Sequence, residues 1–226
     1  MNSLVNTLKN KYNLNDEVVR ILKLYDRIKF HPIKNKTIYY NRPKLIPNTK
    51  QTMSAPHIHA IALNIINSFV NEELKRIGGN YNNLKFNVLD VGCGTGYITA
   101  VTAEILKLKI NRSKVIGIDI NDKLVELTKK NLVENGFFHD LDKNKIIIKK
   151  INGWDGYYLE SPYMFIHVGA SASVLPINLY NQLAINGVLL IPINNDYMLI
   201  KKINYNGKIK MVKKKLFDVR FVKLVK

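Results

Sequence analysis

Only one cysteine, Cys93, occurs in 226 residues, which excludes an internal disulfide framework and fits a reducing compartment. Acidic residues are scarce, 17 Asp and Glu against 35 Lys and Arg, for a formal net charge of +18. That balance excludes an acidic disordered tail. No apolar run is long enough to cross a bilayer, the strongest being 187–193, and the first eleven residues lack the apolar stretch of a secretion signal. A soluble, cytoplasmic protein without membrane attachment is expected. Prolines number only seven, three of them at 32, 43 and 47, so the segment 30–51 reads as an extended ordered loop rather than a helix.

The positive charge is unevenly placed. Residues 1–50 carry 11 basic and 3 acidic groups, 51–200 carry 14 and 13, and 201–226 carry 10 and 1. A nearly neutral middle between basic flanks argues against a function driven by charge over the whole fold.

Apolar spacing over 3–25 predicts two short amphipathic helices, split near Asn13 and restarted by Asn15 as N-cap. A long helix is predicted from Pro56 to Arg76, ended by Gly78, Gly79 and the run Asn80 to Asn83. Strands and helices then alternate: strands at 85–91 and 114–119, helices at 97–108 and 122–133. Buried strands at 146–151 and 164–168, a short helix opened by Pro176, and a strand at 187–193 follow. An Asn-Tyr-Asn-Gly turn between 197–203 and 208–212 predicts a terminal antiparallel hairpin. The expected fold class is α/β, a mostly parallel Rossmann-like sheet with helices on both faces. A single domain spans 1–226, with helices and a cover loop in 1–80 and the cofactor-binding core in 84–226.

The first strand of that series, Val88-Leu89-Asp90-Val91, turns into a helix through Gly92, Gly94 and Gly96. Absent side chains let a ligand approach the backbone at the carboxyl edge of a parallel sheet, where nucleotides sit. The dinucleotide fingerprint needs its third glycine one residue later, and Tyr97 stands there instead. Asp119, at the end of the next strand, suits both hydroxyls of an unmodified ribose, and Asp90 suits an ammonium. An amino-acid-bearing nucleoside satisfies both. The pattern resembles the first two motifs of S-adenosylmethionine-dependent methyltransferases.

The segment Gln51-Thr52-Met53-Ser54-Ala55-Pro56-His57-Ile58-His59 narrows the reaction. Together with Asp26-Arg27, Phe30, Tyr40/Pro43, Asn152-Gly153-Trp154, Pro162-Tyr163, Ile166-His167-Val168-Gly169-Ala170 and Leu189-Leu190-Ile191-Pro192, it closely resembles the protein-L-isoaspartate O-methyltransferase family along nearly the whole chain. The resemblance implies methyl transfer from S-adenosylmethionine, with S-adenosylhomocysteine as product, to the free α-carboxylate of L-isoaspartyl residues in damaged proteins or peptides. It implies a monomer. Such a carboxylate is already ionised at neutral pH and needs no general base.

By the same match Ser54 is the active-site residue, and Gln51, Thr52, Met53, His59, Asp90, Gly92, Gly94, Gly96, Asp119, Ile120, Asn152 and Gly153 hold the cofactor, Asn152 by accepting from the adenine amino group. His57 is a less specific neighbour of His59. Taken alone, Ser54 also suits an N-cap for the helix at Pro56. A His-x-His pair without a third ligand is not a metal site. Four positions depart from the family pattern: Asn41, Asn152 and Met164 stand where Asp is usual, and Val225 where a hydroxyl residue is common. Rival readings are a nucleic-acid or small-molecule methyltransferase of the same fold and a basic non-enzymatic binding protein. The first lacks a base-gripping Asp/Asn-Pro-Pro-aromatic motif, offering only Ser161-Pro162-Tyr163. For the second, Lys213 to Lys215 read most simply as guards of a solvated strand edge, so no obligate nucleic acid is expected.

Overall fold

The computed structural model describes residues 1–78 and 85–226. Two helices open the chain, α1 (Asn2–Tyr12) and α2 (Asp16–Leu24), and the Asn15 side chain caps the second by accepting from the Val18 N–H at 3.0 Å. The early loop is ordered by short 3-10 turns and by β1 (Lys44–Leu45), which pairs antiparallel with β2 (Thr52–Met53). Helix α3 (Pro56–Arg76) has the predicted bounds, with Pro at its first position where no N–H is needed. The expected stop signals at Gly79 and Asn80 to Asn83 lie outside the described residues.

Next come β3 (Phe86–Val91), α4 (Tyr97–Lys107), β4 (Ser113–Asp119), α5 (Asp122–Glu134), α6 (Phe138–Asp142), β5 (Ile146–Lys150), β6 (Tyr163–Val168), α7 (Ile177–Asn181), β7 (Leu183–Ile193), β8 (Asp196–Tyr205) and β9 (Lys208–Asp218). Among the described residues, seven strands form one sheet in the order β5-β4-β3-β6-β7-β8-β9, parallel up to β7 and antiparallel beyond. Side chains alternate across it. Phe86, Val88, Val115, Phe165 and Leu190 join the core under α1 to α5, whereas Leu89, Val91, Ile116, Ile166 and Leu189 join the core on the other face. No helix of the described residues is long and apolar enough to cross a membrane.

Three expectations need correction. Helix α6 has too few residues to show periodicity. Strand β7 begins at Leu183, four residues early, because a register shift opposite Tyr163 and Asn186 at φ +66° interrupt the apolar alternation that defines the strand. Strands β8 and β9 outrun the predicted hairpin, since lysines on the solvent face of β9 hide its period. The turn between them has both central residues, Asn206 and Gly207, at positive φ, as such a tight hairpin requires.

Candidate active site

At the end of β3 the chain must reverse toward α4 without side chains in the way, and Gly92, Gly94 and Gly96 all take positive φ. The turn is pinned from several sides. Thr128 of α5 donates to the Gly94 carbonyl at 2.9 Å, and Asn131 donates to the carbonyls of Thr95 and Phe30 at 2.8 and 2.7 Å. The Gly94 N–H donates to Asp119 Oδ2 at 3.1 Å, tying the turn to the end of β4. Asp90 lies beneath, with Thr99 Oγ1 donating to its Oδ2 at 2.6 Å and His167 Nδ1 at 2.8 Å from its Oδ1. All three side chains are buried. Asp90 thus ties the end of β3 to α4 and to β6 beneath the turn.

The β2 segment approaches this turn from the opposite side. Thr52, Met53, Ser54 and His59 share one cavity with Asp90, Gly92 and Gly94. A neighbouring cavity is lined by Gln51, Gly92, Asp119, Ile120, Gly153 and Val225. Thr52 and Gly169 border both, and both also border a cleft of about 1050 Å³ whose walls include Ser54, His57, Phe217, Arg220 and Phe221. Two sequence-predicted residues do not line these cavities. Gly96 serves as N-cap of α4, packed on Thr128, and Asn152 Oδ1 accepts from the Trp154 N–H at 3.0 Å, between Ile151 and Gly153, which line the second cavity.

The capping alternative for Ser54 does not hold. The N-cap of α3 is Ala55, without a side-chain cap, and Asn41 Oδ1 accepts instead from the His57 N–H at 3.1 Å. Asn at position 41 therefore has a local use. Met164 is likewise explained by burial among apolar side chains, where a carboxylate would be costly.

Beneath Ser54 lies Arg27, 2% exposed, whose Nη2 donates to the Ser54 carbonyl at 3.0 Å while its Nε and Nη1 have no partner among the described residues. Burial pushes its guanidinium down to about 10, so it remains charged at neutral pH. His59 stacks on Tyr97, ring centroids 5.1 Å apart. Burial, reinforced by Arg27, holds it well below the usual histidine range and hence neutral. Burial also pushes the Cys93 thiol well up, which leaves it unreactive. Sequence reasoning gave Arg27 and His167 no role beyond their places in the matched segments. The one available signal for His167 was a polar residue inside an otherwise apolar strand.

A parallel sheet closed by an antiparallel meander, with a glycine turn and a buried carboxylate at adjacent strand ends, defines a Rossmann-like methyltransferase. The family model described as Protein-L-isoaspartate(D-aspartate) O-methyltransferase (PCMT) matches residues 1–226, and the chain belongs to that family. It is 34% identical over 193 residues to the protein-L-isoaspartate O-methyltransferase of Caenorhabditis elegans, covering 83% of this chain and 76% of that one. It is 33% identical over 223 residues to the enzyme of the same name from Methanococcus maripaludis strain C5, covering 97% and 92%. A Plasmodium falciparum protein assigned to the same activity, solved with S-adenosyl-L-homocysteine, superposes with a TM-score of 0.79 at 31% identity over 99% of this chain and 97% of its own.

Proposed function

We propose that this chain methylates the free α-carboxylate of L-isoaspartyl residues in damaged proteins and peptides, using S-adenosylmethionine, and so starts repair through a succinimide. The observation that carries this is the shared cavity: Ser54 borders both the glycine turn and the large cleft. Family membership and the S-adenosyl-L-homocysteine held by the Plasmodium protein support it.

The residues fit the nucleoside. A Cβ on Gly92 would meet its nearest neighbour only at 3.9 Å, so the glycine leaves open space beside the backbone, and each Asp119 oxygen keeps a lone pair after accepting from Gly94 or Asn121. Gln51, Thr52, Met53, Ile120 and Gly153 wall the pocket around it. When bound, S-adenosylmethionine supplies a methyl group on a cationic sulfur. Ser54 orients the peptide carboxylate, and the apolar walls exclude water that would blunt that oxygen. Neutral His59 places no competing charge beside it.

One domain spanning 1–226 is the reading supported by a single apolar cluster whose members range from Val5 to Val219. We read the chain as a cytoplasmic monomer acting on isoaspartyl clients, with neither nucleic acid nor membrane as a partner. Sedimentation of the purified chain tests the monomer. To test the activity, the protein is incubated with methyl-labelled cofactor and either an isoaspartyl peptide, its aspartyl twin or nucleic acid. Base-labile label on the isoaspartyl peptide alone is expected; label in nucleic acid refutes the reading.

Burial raises the Asp119 carboxyl above its ordinary value of 3.8. Protonation removes an acceptor for the ribose, so cofactor affinity should fall on acidification sooner than an ordinary aspartate would allow. The free fold responds oppositely, since a raised folded pKa means the native state binds the extra proton and gains from it. Calorimetric titration of S-adenosylhomocysteine between about pH 4 and 7 checks this, with an Asp119→Asn variant expected to be weak and flat.

A further inference from the structure

The cleft beside Ser54 is more cationic than one substrate carboxylate requires. Arg42 reaches it from the early loop and Arg220 from the C-terminal segment, both with exposed side chains. Neither lies within ion-pair distance of an acid among the described residues. The Arg42 guanidinium rests over the Tyr40 ring, 5.3 Å from its centroid, which holds the side chain without neutralising it. The cleft's one acid among the described residues, Asp218, is ion-paired with Lys215 Nζ at 2.8 Å, a lysine it shares with Asp196 at 2.7 Å, so the two arginines outnumber it.

The surroundings reinforce this field. Strand β9 forms the outer edge of the sheet, and the chain leaving it at Asp218 becomes the cleft wall through Val222. On that edge Lys208, Lys210, Lys213 and Lys214 are exposed and have no acidic partner among the described residues. A peptide lying extended from Ser54 along this wall meets several unpaired cations and one acid that is already ion-paired. Edge protection alone accounts for lysines on β9. It does not account for two unpaired arginines inside a cleft.

We infer that the cleft selects isoaspartyl peptides whose flanking residues are acidic, with Arg42 and Arg220 as the specificity-determining side chains and the β9 lysines as a longer-range attractor. This rests on the methyl-transfer reading above. Because the arginines would touch flanking residues rather than the reacting oxygen, the preference belongs in KM more than in kcat. It also weakens with salt, whose screening length is about 10 Å at 0.1 M.

The test is steady-state methylation of three peptides with the same isoaspartyl centre, flanked by glutamates, alanines or lysines, at low and high salt. The expected result is kcat/KM at least about tenfold higher for the glutamate than for the lysine peptide, carried by KM and shrinking severalfold as salt rises. In Arg42→Gln/Arg220→Gln the ratio should collapse toward one, and in Arg42→Glu/Arg220→Glu it should invert. Equal kcat/KM for all three peptides, or a preference that survives both double variants, overturns this inference and leaves the methyl-transfer reading standing. No label on any peptide overturns both. The peptide and salt series needs only the wild-type chain, so a poorly folded variant would not rescue the idea.

Discussion

Ser54→Ala is expected to lower kcat on an isoaspartyl peptide by about 10²–10³-fold, the usual cost of deleting one well-placed hydrogen-bond donor at a reacting oxygen. The Ser54 hydroxyl makes no hydrogen bond to another described residue, whereas its carbonyl is held by Arg27. The hydroxyl is therefore free for substrate while the backbone beneath it is fixed. Because Asn41 rather than Ser54 serves the first turn of α3, deletion of the hydroxyl should shift unfolding free energy by less than about 0.5 kcal/mol. A true N-cap would cost about 1 kcal/mol. Stopped assays with labelled cofactor, run beside thermal melts, separate the cases. Unchanged kcat with a lowered Tm would return Ser54 to a capping role.

Gly96→Ala should cost about 2–4 kcal/mol of stability, combining left-handed backbone strain with overpacking. At φ +79° its new Cβ would lie 2.9 Å from Thr128 Cγ2 and 3.4 Å from Thr128 Cα. The second is close to ordinary contact, so the first decides: Thr128 is buried and β-branched, and turning its methyl aside also swings Oγ1 away from the Gly94 carbonyl. A Tm drop of roughly 5–15 °C with loss of cofactor-induced stabilisation is expected. Gly136→Ala is the control, because Gly136 also has positive φ, +92°, but nothing lies within 4 Å of its Cβ. Its penalty should stay near the backbone strain alone, about 1–2 kcal/mol. If the two variants melt together, packing against Thr128 is not what holds the turn.

Where the physics is local, the sequence was readable. Pro56 at the head of an apolar stripe delimited α3, Asn15 announced the start of α2, and three alternating glycines after an apolar run marked the strand-to-helix turn. Ser54 proved to share a cavity with Gly92 and Gly94 because the resemblance carried their spatial relation; spacing alone did not. What stayed hidden depends on partners far along the chain. Asn41 caps a helix across sixteen residues, Asp90 chooses His167 across seventy-seven, and residues 217 to 225 fold back to wall the large cleft and the cavity at Asp119. Such pairings follow from topology, which no window of periodicity contains. Gly96 and Asn152 also carry local duties that their motifs did not announce: one caps α4 and the other accepts from a neighbouring amide.

Arg27 makes this fold vulnerable to well-meant improvement. Keeping a guanidinium charged there, against a depression to about 10, costs about 3 kcal/mol at every pH below that value, and two of its three nitrogens have no partner among the described residues to offset it. Methionine at that position would lift the burden and give up one hydrogen bond. A directed-evolution campaign scored on heat resistance would accordingly enrich apolar residues at 27, and the winners would be sturdier proteins whose Ser54 no longer stands still.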